Sequence, residues 1–200
     1  MPPLPPSSEH TADSFVYRAT LRRERLDARL ALDEKSHAIL SSDIESGLEA
    51  LLTPLPPQTL AFCAPMRREF DARRLAARLI GRGWRIAMPV VVSAAAPMVF
   101  RTWTPDTEMA LDRHGIPVPA AGEELRPAIV LLPLVAFDPQ GFRLGYGGGY
   151  FDRTLAAMVP RPLAIGVGFE LGRVADTLPQ AHDIPLDATV TEAGIVHHVH

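Results

Sequence analysis

The residues with most chemical potential lie in one run, Phe137-Asp138-Pro139-Gln140-Gly141-Phe142-Arg143-Leu144-Gly145-Tyr146-Gly147-Gly148-Gly149-Tyr150-Phe151-Asp152. An apolar segment, Ile129 to Leu132, precedes it and reads as a buried strand, while Thr154-Leu155-Ala156-Ala157-Met158 follows and reads as a helix. A strand, a glycine loop and a helix start make an anion site, because the first N–H groups of the helix lack carbonyl partners. Glycines 141, 145, 147, 148 and 149 can adopt positive φ and let a ligand approach the backbone. Arg143 can fork onto phosphate oxygens, and the Asp152 carboxylate can hold the magnesium that accompanies a nucleotide. The same glycines would also serve a plain tight turn, but the interleaved Arg143, Tyr146, Tyr150 and Asp152 exceed what a turn needs. The loop is neither a P-loop, since it lacks Gly-Lys-Ser/Thr, nor a dinucleotide fingerprint, since the sixth place counted from Gly145 is Tyr150.

Other candidates are scattered along the chain. Arg18 and Arg22 stand one helical turn apart and point the same way, either to solvent or to a ligand. Glu69 is expected to begin a helix, where an acid complements the helix dipole. Asp183, beside His182, is placed to close a loop before Ile184-Pro185. His197, His198 and His200 could bind a metal, although a frayed end is the simpler reading.

The elements that must position these groups follow from periodicity. A charged helix is expected over 14–31, with Leu26 and Leu30 one turn apart and at least two of Arg22, Arg23, Arg25 and Arg29 facing solvent or ligand. An amphipathic helix over 33–52 carries Leu40, Ile44, Leu48 and Leu51, and both helices are expected to pack on a sheet. Strands are predicted over 59–64, 84–92, 98–103, 129–132 and 163–167, with helices over 69–81 and from about 150. Alternating strands and helices with continuous apolar strands predict an α/β fold, a mostly parallel sheet covered on both faces. In such sheets ligands collect beyond the carboxyl ends of the strands, where Ala64 to Glu69, the glycine loop and the segment around Phe169 are expected to meet.

Composition sets the outer bounds. Two hundred residues, 47% hydrophobic and 22% charged, suit one globular domain. The expected division is a disordered proline-rich tail over 1–13, one domain over 14–195 and a His-containing tail over 196–200. A net charge of -3 without basic runs argues against a nucleic-acid partner and leaves small molecules. The single Cys63 excludes an internal disulfide and a Cys-rich zinc site, and it is expected to end a buried strand. No apolar run spans a bilayer and no signal-peptide pattern opens the chain, so a cytoplasmic monomer without membrane contact is expected.

The glycine run resembles the hallmark of the 5-formyltetrahydrofolate cyclo-ligases, also called 5,10-methenyltetrahydrofolate synthetases: Phe-Asp-x-x-Gly-x-Arg-Leu-Gly-x-Gly-x-Gly-Tyr-Tyr-Asp, with Phe151 replacing the second tyrosine. Further family landmarks follow in order: Arg18-Ala-Thr-Leu-Arg22, Glu69-Phe-Asp71, Gly115-Ile-Pro-Val-Pro119, Leu178-Pro-Gln-Ala-His182-Asp183 and Thr191-Glu192. The resemblance spans about residues 15 to 195 and implies a Rossmann-like three-layer α/β fold. It also implies an ATP-dependent cyclisation of 5-formyltetrahydrofolate through a phosphorylated formyl intermediate. ATP contacts then fall on Arg18, Arg22 and the loop Arg143, Leu144, Gly145, Tyr146, Gly147, Gly148, Gly149, Tyr150 and Phe151. Folate contacts fall on Ala64, Glu69 and the stretch Tyr146 to Tyr150, with Glu69 accepting pterin N–H groups. Mg2+ falls to Asp152 and Asp183. Arg18 stands where the family has Lys, and the family's Gln near Glu170-Leu171-Gly172 is missing. A nucleotide-binding paralogue with a regulatory role, or a transferase or isomerase on the same scaffold, remain alternatives.

Overall fold

The computed structural model describes residues 8–199, with side chains from Ser14 onward. Seven strands form the central sheet in the order β11-β10-β9-β6-β1-β2-β3. They are β1 (Thr59–Ala61), β2 (Arg85–Val90), β3 (Val99–Thr102), β6 (Ile129–Pro133), β9 (Leu163–Val167), β10 (Ala188–Thr191) and β11 (Gly194–His197). The five inner strands are mutually parallel, and the edge strands β3 and β11 run antiparallel to their neighbours. Two hairpins lie outside this sheet, β4 (Met109–Leu111) with β5 (Pro117–Pro119) and β7 (Ala136–Phe137) with β8 (Arg143–Leu144).

Alternation along each strand divides the core in two. One face presents Leu60, Phe62, Ile86, Met88, Ile129, Leu131 and Ile165 to α2 (Glu34–Leu52) and α3 (Arg73–Gly81). The α2 helix starts at Asp33, whose side chain accepts the Ser36 N–H at 2.9 Å, and it buries Ile44, Leu48 and Leu52. The opposite face carries Ala61, Ala87, Val130 and Ala164 against Leu155 of α4 (Tyr150–Ala157). The small residues on this face let α4 approach closely. This is the expected three-layer arrangement, and among the described residues no helix is long and apolar enough to cross a membrane.

Several boundaries differ from the sequence expectation. The first helix, α1, runs Ser8–Leu30, so residues 8–13 are helical rather than tail, while the expectation for 1–7 lies outside the described residues. Its inward face is not a leucine stripe: Leu30 is 45% exposed, whereas Arg18, Leu21 and Arg29 are buried. α1 lies against β7 and the 3-10 turn Glu170–Gly172, not flat on the sheet. At the other end His197 is in β11 and the His198 ring sits 2.9 Å from the Thr189 hydroxyl, so both are ordered, and His200 lies outside the described residues. Cys63 lies two residues beyond the end of β1.

Candidate active site

The carboxyl ends of β1, β2 and β6 open into a cavity of about 450 Å³. The glycine loop, Gly145 to Gly149, forms one wall. Its geometry comes from the β7–β8 hairpin, which Asp138 holds in shape: this carboxylate is 1% exposed and accepts the N–H groups of Gln140, Phe142 and Thr177 and the Thr177 hydroxyl. Asp138 therefore belongs to the motif for structural reasons. Within the loop Gly147 (φ 94) and Gly149 (φ 62) need the left-handed region, and Gly149 caps α4. Gly145 and Gly148 do not. A Cβ on Gly148 would lie 2.9 Å from the Tyr150 ring, while one on Gly145 would meet open space.

The charged lining falls into two groups, a cationic pole and an acidic one. The cationic pole comprises Arg18 and Arg22 from α1 and Arg143 from β8. Arg22 donates to the Gly145 carbonyl at 2.9 Å, which ties α1 to the loop. Burial and then the adjacent Arg18 charge pull the Arg22 guanidinium below the ordinary arginine value. Arg143 is 7% exposed and donates to Asp152 (3.0 Å) and to the Ile184 carbonyl (2.8 Å). Arg18 pairs with Asp183 at 2.5 Å and also donates to the Leu178 carbonyl. Burial alone would raise Asp183, but hydrogen bonds from Arg18 and the Gln180 N–H, with the Arg18 charge, hold it below the usual carboxylate value.

The acidic pole is Glu69. It does not begin a helix, since α3 starts at Arg73; it sits in the preceding turn, 7% exposed, with Oε2 accepting the Met66 N–H at 2.9 Å. The Tyr146 hydroxyl donates to Oε1 at 2.7 Å. Burial raises the Glu69 carboxyl, only partly offset by Met66, Tyr146, Arg29 and Arg67. Arg67 and Arg68, in the turn leading to Glu69, both take positive φ (45° and 61°), strained backbone of the kind that gathers at sites. Ala64 lines the same end.

The structure thus brings Arg18, Arg22, Ala64, Glu69, Arg143, Gly145 to Phe151, Asp152 and Asp183 to one cavity. Leu144 is the exception: its side chain is fully buried with Leu21, Ala136 and Val174 and does not reach the cavity. Neither Phe169 nor Glu170 to Gly172 is among the lining residues, so the missing Gln falls outside the cavity wall. The sequence reading missed His114, on the β4–β5 turn, whose ring lies 3.2 Å from the Tyr150 hydroxyl, and apolar wall residues such as Met98 and Ile116. It also missed Arg67, although Met66 to Glu69 follows β1 at the strand end where ligands gather.

Magnesium finds uneven support in these side chains. Among the described residues no three or more His, Cys, Asp or Glu groups converge on one point. A nucleotide-borne Mg2+ needs only one or two carboxylates, with phosphate and water oxygens completing its shell. Asp152 fits, since it lines the cavity and its known partners, Arg143 and the Ile184 N–H, share Oδ1. Asp183 also lines the cavity, but both its oxygens accept from Arg18 and one also accepts the Gln180 N–H, so it would have to share or exchange those partners to join the ion.

Fold and site together define a Rossmann-like three-layer α/β protein with a large cleft, walled by a glycine loop, at the carboxyl ends of its parallel strands. The model of the 5-formyltetrahydrofolate cyclo-ligase family matches residues 16–192. The 5-formyltetrahydrofolate cyclo-ligase of Escherichia coli is 31% identical over 144 residues, covering 68% of this chain and 79% of that protein. That of Mycolicibacterium smegmatis is 30% identical over 191 residues, covering 87% and 97%. The solution structure of Aquifex aeolicus 5,10-methenyltetrahydrofolate synthetase superposes with a TM-score of 0.77 at 28% identity, covering 90% of this chain and 92% of that one. The chain belongs to the 5-formyltetrahydrofolate cyclo-ligase family and is an enzyme of the ligase class.

Proposed function

We propose that the protein converts 5-formyltetrahydrofolate and ATP into 5,10-methenyltetrahydrofolate, ADP and phosphate. The observation that carries this reading is the charged lining of one cavity: a glycine loop with Arg18, Arg22 and Arg143 for a triphosphate, together with a buried acceptor, Glu69, for the N–H groups of a reduced pterin. The formyl oxygen attacks the γ-phosphorus and the bond from phosphorus to the bridging oxygen breaks, releasing ADP. N10 then attacks the activated formyl carbon, the carbon–oxygen bond breaks, and phosphate leaves with the N10 proton as the five-membered ring closes.

No enzyme nucleophile is required. The chain's contribution is alignment of the two substrates and stabilisation of charge on the phosphoryl oxygens by Arg143 and the loop N–H groups. Asp152 is the side chain suited to hold magnesium, which when bound would offset charge on the triphosphate. Tyr146 and Tyr150, flanking the three glycines, suit stacking on a flat ring.

The test is an absorbance assay for 5,10-methenyltetrahydrofolate with purified protein, 5-formyltetrahydrofolate and MgATP. Formation of product stoichiometric with ADP is expected. Nucleotide binding without turnover would instead favour a regulatory paralogue. Glu69→Gln should raise the KM for 5-formyltetrahydrofolate at least about tenfold while leaving nucleotide affinity nearly unchanged, since an amide turns a donor toward a donor.

A further inference from the structure

Arg29 is one of four arginines of which at least two were expected to face solvent or ligand; it is 3% exposed and makes no part of the cavity lining. A buried guanidinium is costly unless its N–H groups are matched. Here each nitrogen has a partner on a different segment: Nε donates to the Arg67 carbonyl (3.0 Å), Nη1 to the Leu134 carbonyl just past β6 (2.9 Å) and Nη2 to the Tyr146 hydroxyl (2.8 Å). The same Nη2 stands 3.7 Å from Glu69 Oε1, the oxygen to which Tyr146 donates.

We infer that Arg29 is a positioning residue for the folate end of the site: through Tyr146 it aims the Glu69 carboxylate at the cavity and keeps that carboxylate joined to the glycine loop. The inference rests on the reading of Glu69 as the folate acceptor. A hydroxyl that accepts from a guanidinium is polarised into a better donor, so the relay Arg29 to Tyr146 to Glu69 is cooperative. Its charge also opposes the protonation that burial promotes in Glu69. The charged and titratable groups around Glu69 are Arg29 from α1, Arg67 from its own turn, Tyr146 from the loop and Cys63 after β1. Cys63 is pushed up by burial and then by Glu69, so it stays a neutral thiol and leaves the two arginines as the countercharges.

The experiment is calorimetric binding of 5-formyltetrahydrofolate and of ATP to Arg29→Met, Glu69→Gln and the double variant across pH. Arg29→Met should weaken folate binding at least about tenfold, leave ATP within about threefold, and add nothing to Glu69→Gln, as coupled residues do. The acid limb of folate binding should move to higher pH, and Arg29→Lys should return the limb but not the full affinity, because one ammonium cannot reach three acceptors at once. Equal losses for both ligands, or additive losses in the double variant, would overturn the assignment and leave Arg29 a structural tie. If Arg29→Met does not fold, Tyr146→Phe decides: Tyr146 is 43% exposed, and unchanged folate affinity would refute the relay. Full folate affinity in Glu69→Gln alone would sink the reading of Glu69 itself, an outcome separate from failure of Arg29.

Discussion

Removing the Arg143 side chain should damage the protein twice, and the two effects can be measured apart. Arg143→Ala deletes the hydrogen bonds to Asp152 (3.0 Å) and to the Ile184 carbonyl (2.8 Å), while Asp152 keeps only the Ile184 N–H at 3.1 Å. Breaking a fully buried pair by removing one partner costs about 3 to 5 kcal/mol. Asp152 is 16% exposed on its side chain and opens to the cavity, so water recovers part of this, and about 1.5 to 3 kcal/mol is the better figure for a lost bond to a charged group. For a chain of this size that corresponds to a fall of roughly 3 to 12 °C in Tm. The second effect is on phosphoryl transfer: removing one charged phosphate contact costs about 2 to 4 kcal/mol, or roughly 30-fold to 1000-fold in kcat/KM for ATP. Calorimetric melting at saturating and zero ATP, with steady-state rates measured well below the melting range, separates the terms. Asp152→Asn in the Arg143→Ala background should cost little further stability if the two act as a pair. An unchanged Tm would refute the reading that the bonds of Arg143 to Asp152 and the Ile184 carbonyl stabilise the fold, and a lowered Tm with normal ATP kinetics would remove it from the phosphate site.

Asp138→Ala should leave the N–H groups of Gln140 and Phe142 and the N–H and hydroxyl of Thr177 without their acceptor; counting only the two buried Thr177 donors, the loss is about 2 to 6 kcal/mol, read as a reduced urea midpoint. Gly147→Ala forces an L side chain to φ 94 and should cost about 1 to 2 kcal/mol, whereas Gly145→Ala, with open space at its Cβ, should stay within about 0.5 kcal/mol; equal midpoints would contradict the loop geometry. Because the folded Asp183 carboxyl is held below its ordinary value, its pair with Arg18 contributes stability above the unfolded value, near pH 3.8, and loses it as pH falls through the folded one. Arg18→Met should therefore lower Tm at pH 7, with the difference from the parent shrinking as pH falls below about 4; a difference independent of pH would mean the pair is not the cause.

The sequence alone carried the loop and the layers. Continuous apolar runs at 129–132 and 163–167 read as buried strands of a mostly parallel sheet, and glycines interleaved with Arg143 and Asp152 marked the loop that walls the cavity, because backbone conformation and periodicity are local properties written in local residues. The short hairpins β4–β5 and β7–β8 and the last strands β10 and β11 were not read, since two to four residues give too little periodicity to distinguish strand from turn. What only tertiary structure decided was how partners far apart in the chain share charge. Asp183 answers Arg18 across 165 residues, and Glu69 meets Tyr146 across 77, so neither could be assigned a bonded state from its neighbours in sequence. Arg29 shows the limit most clearly. It belongs to a charged helix, and a charged helix face normally looks to water. It is buried because α1 lies across the sheet's ligand end instead of on the sheet, where the Arg67 and Leu134 carbonyls and the Tyr146 hydroxyl supply what solvent otherwise would.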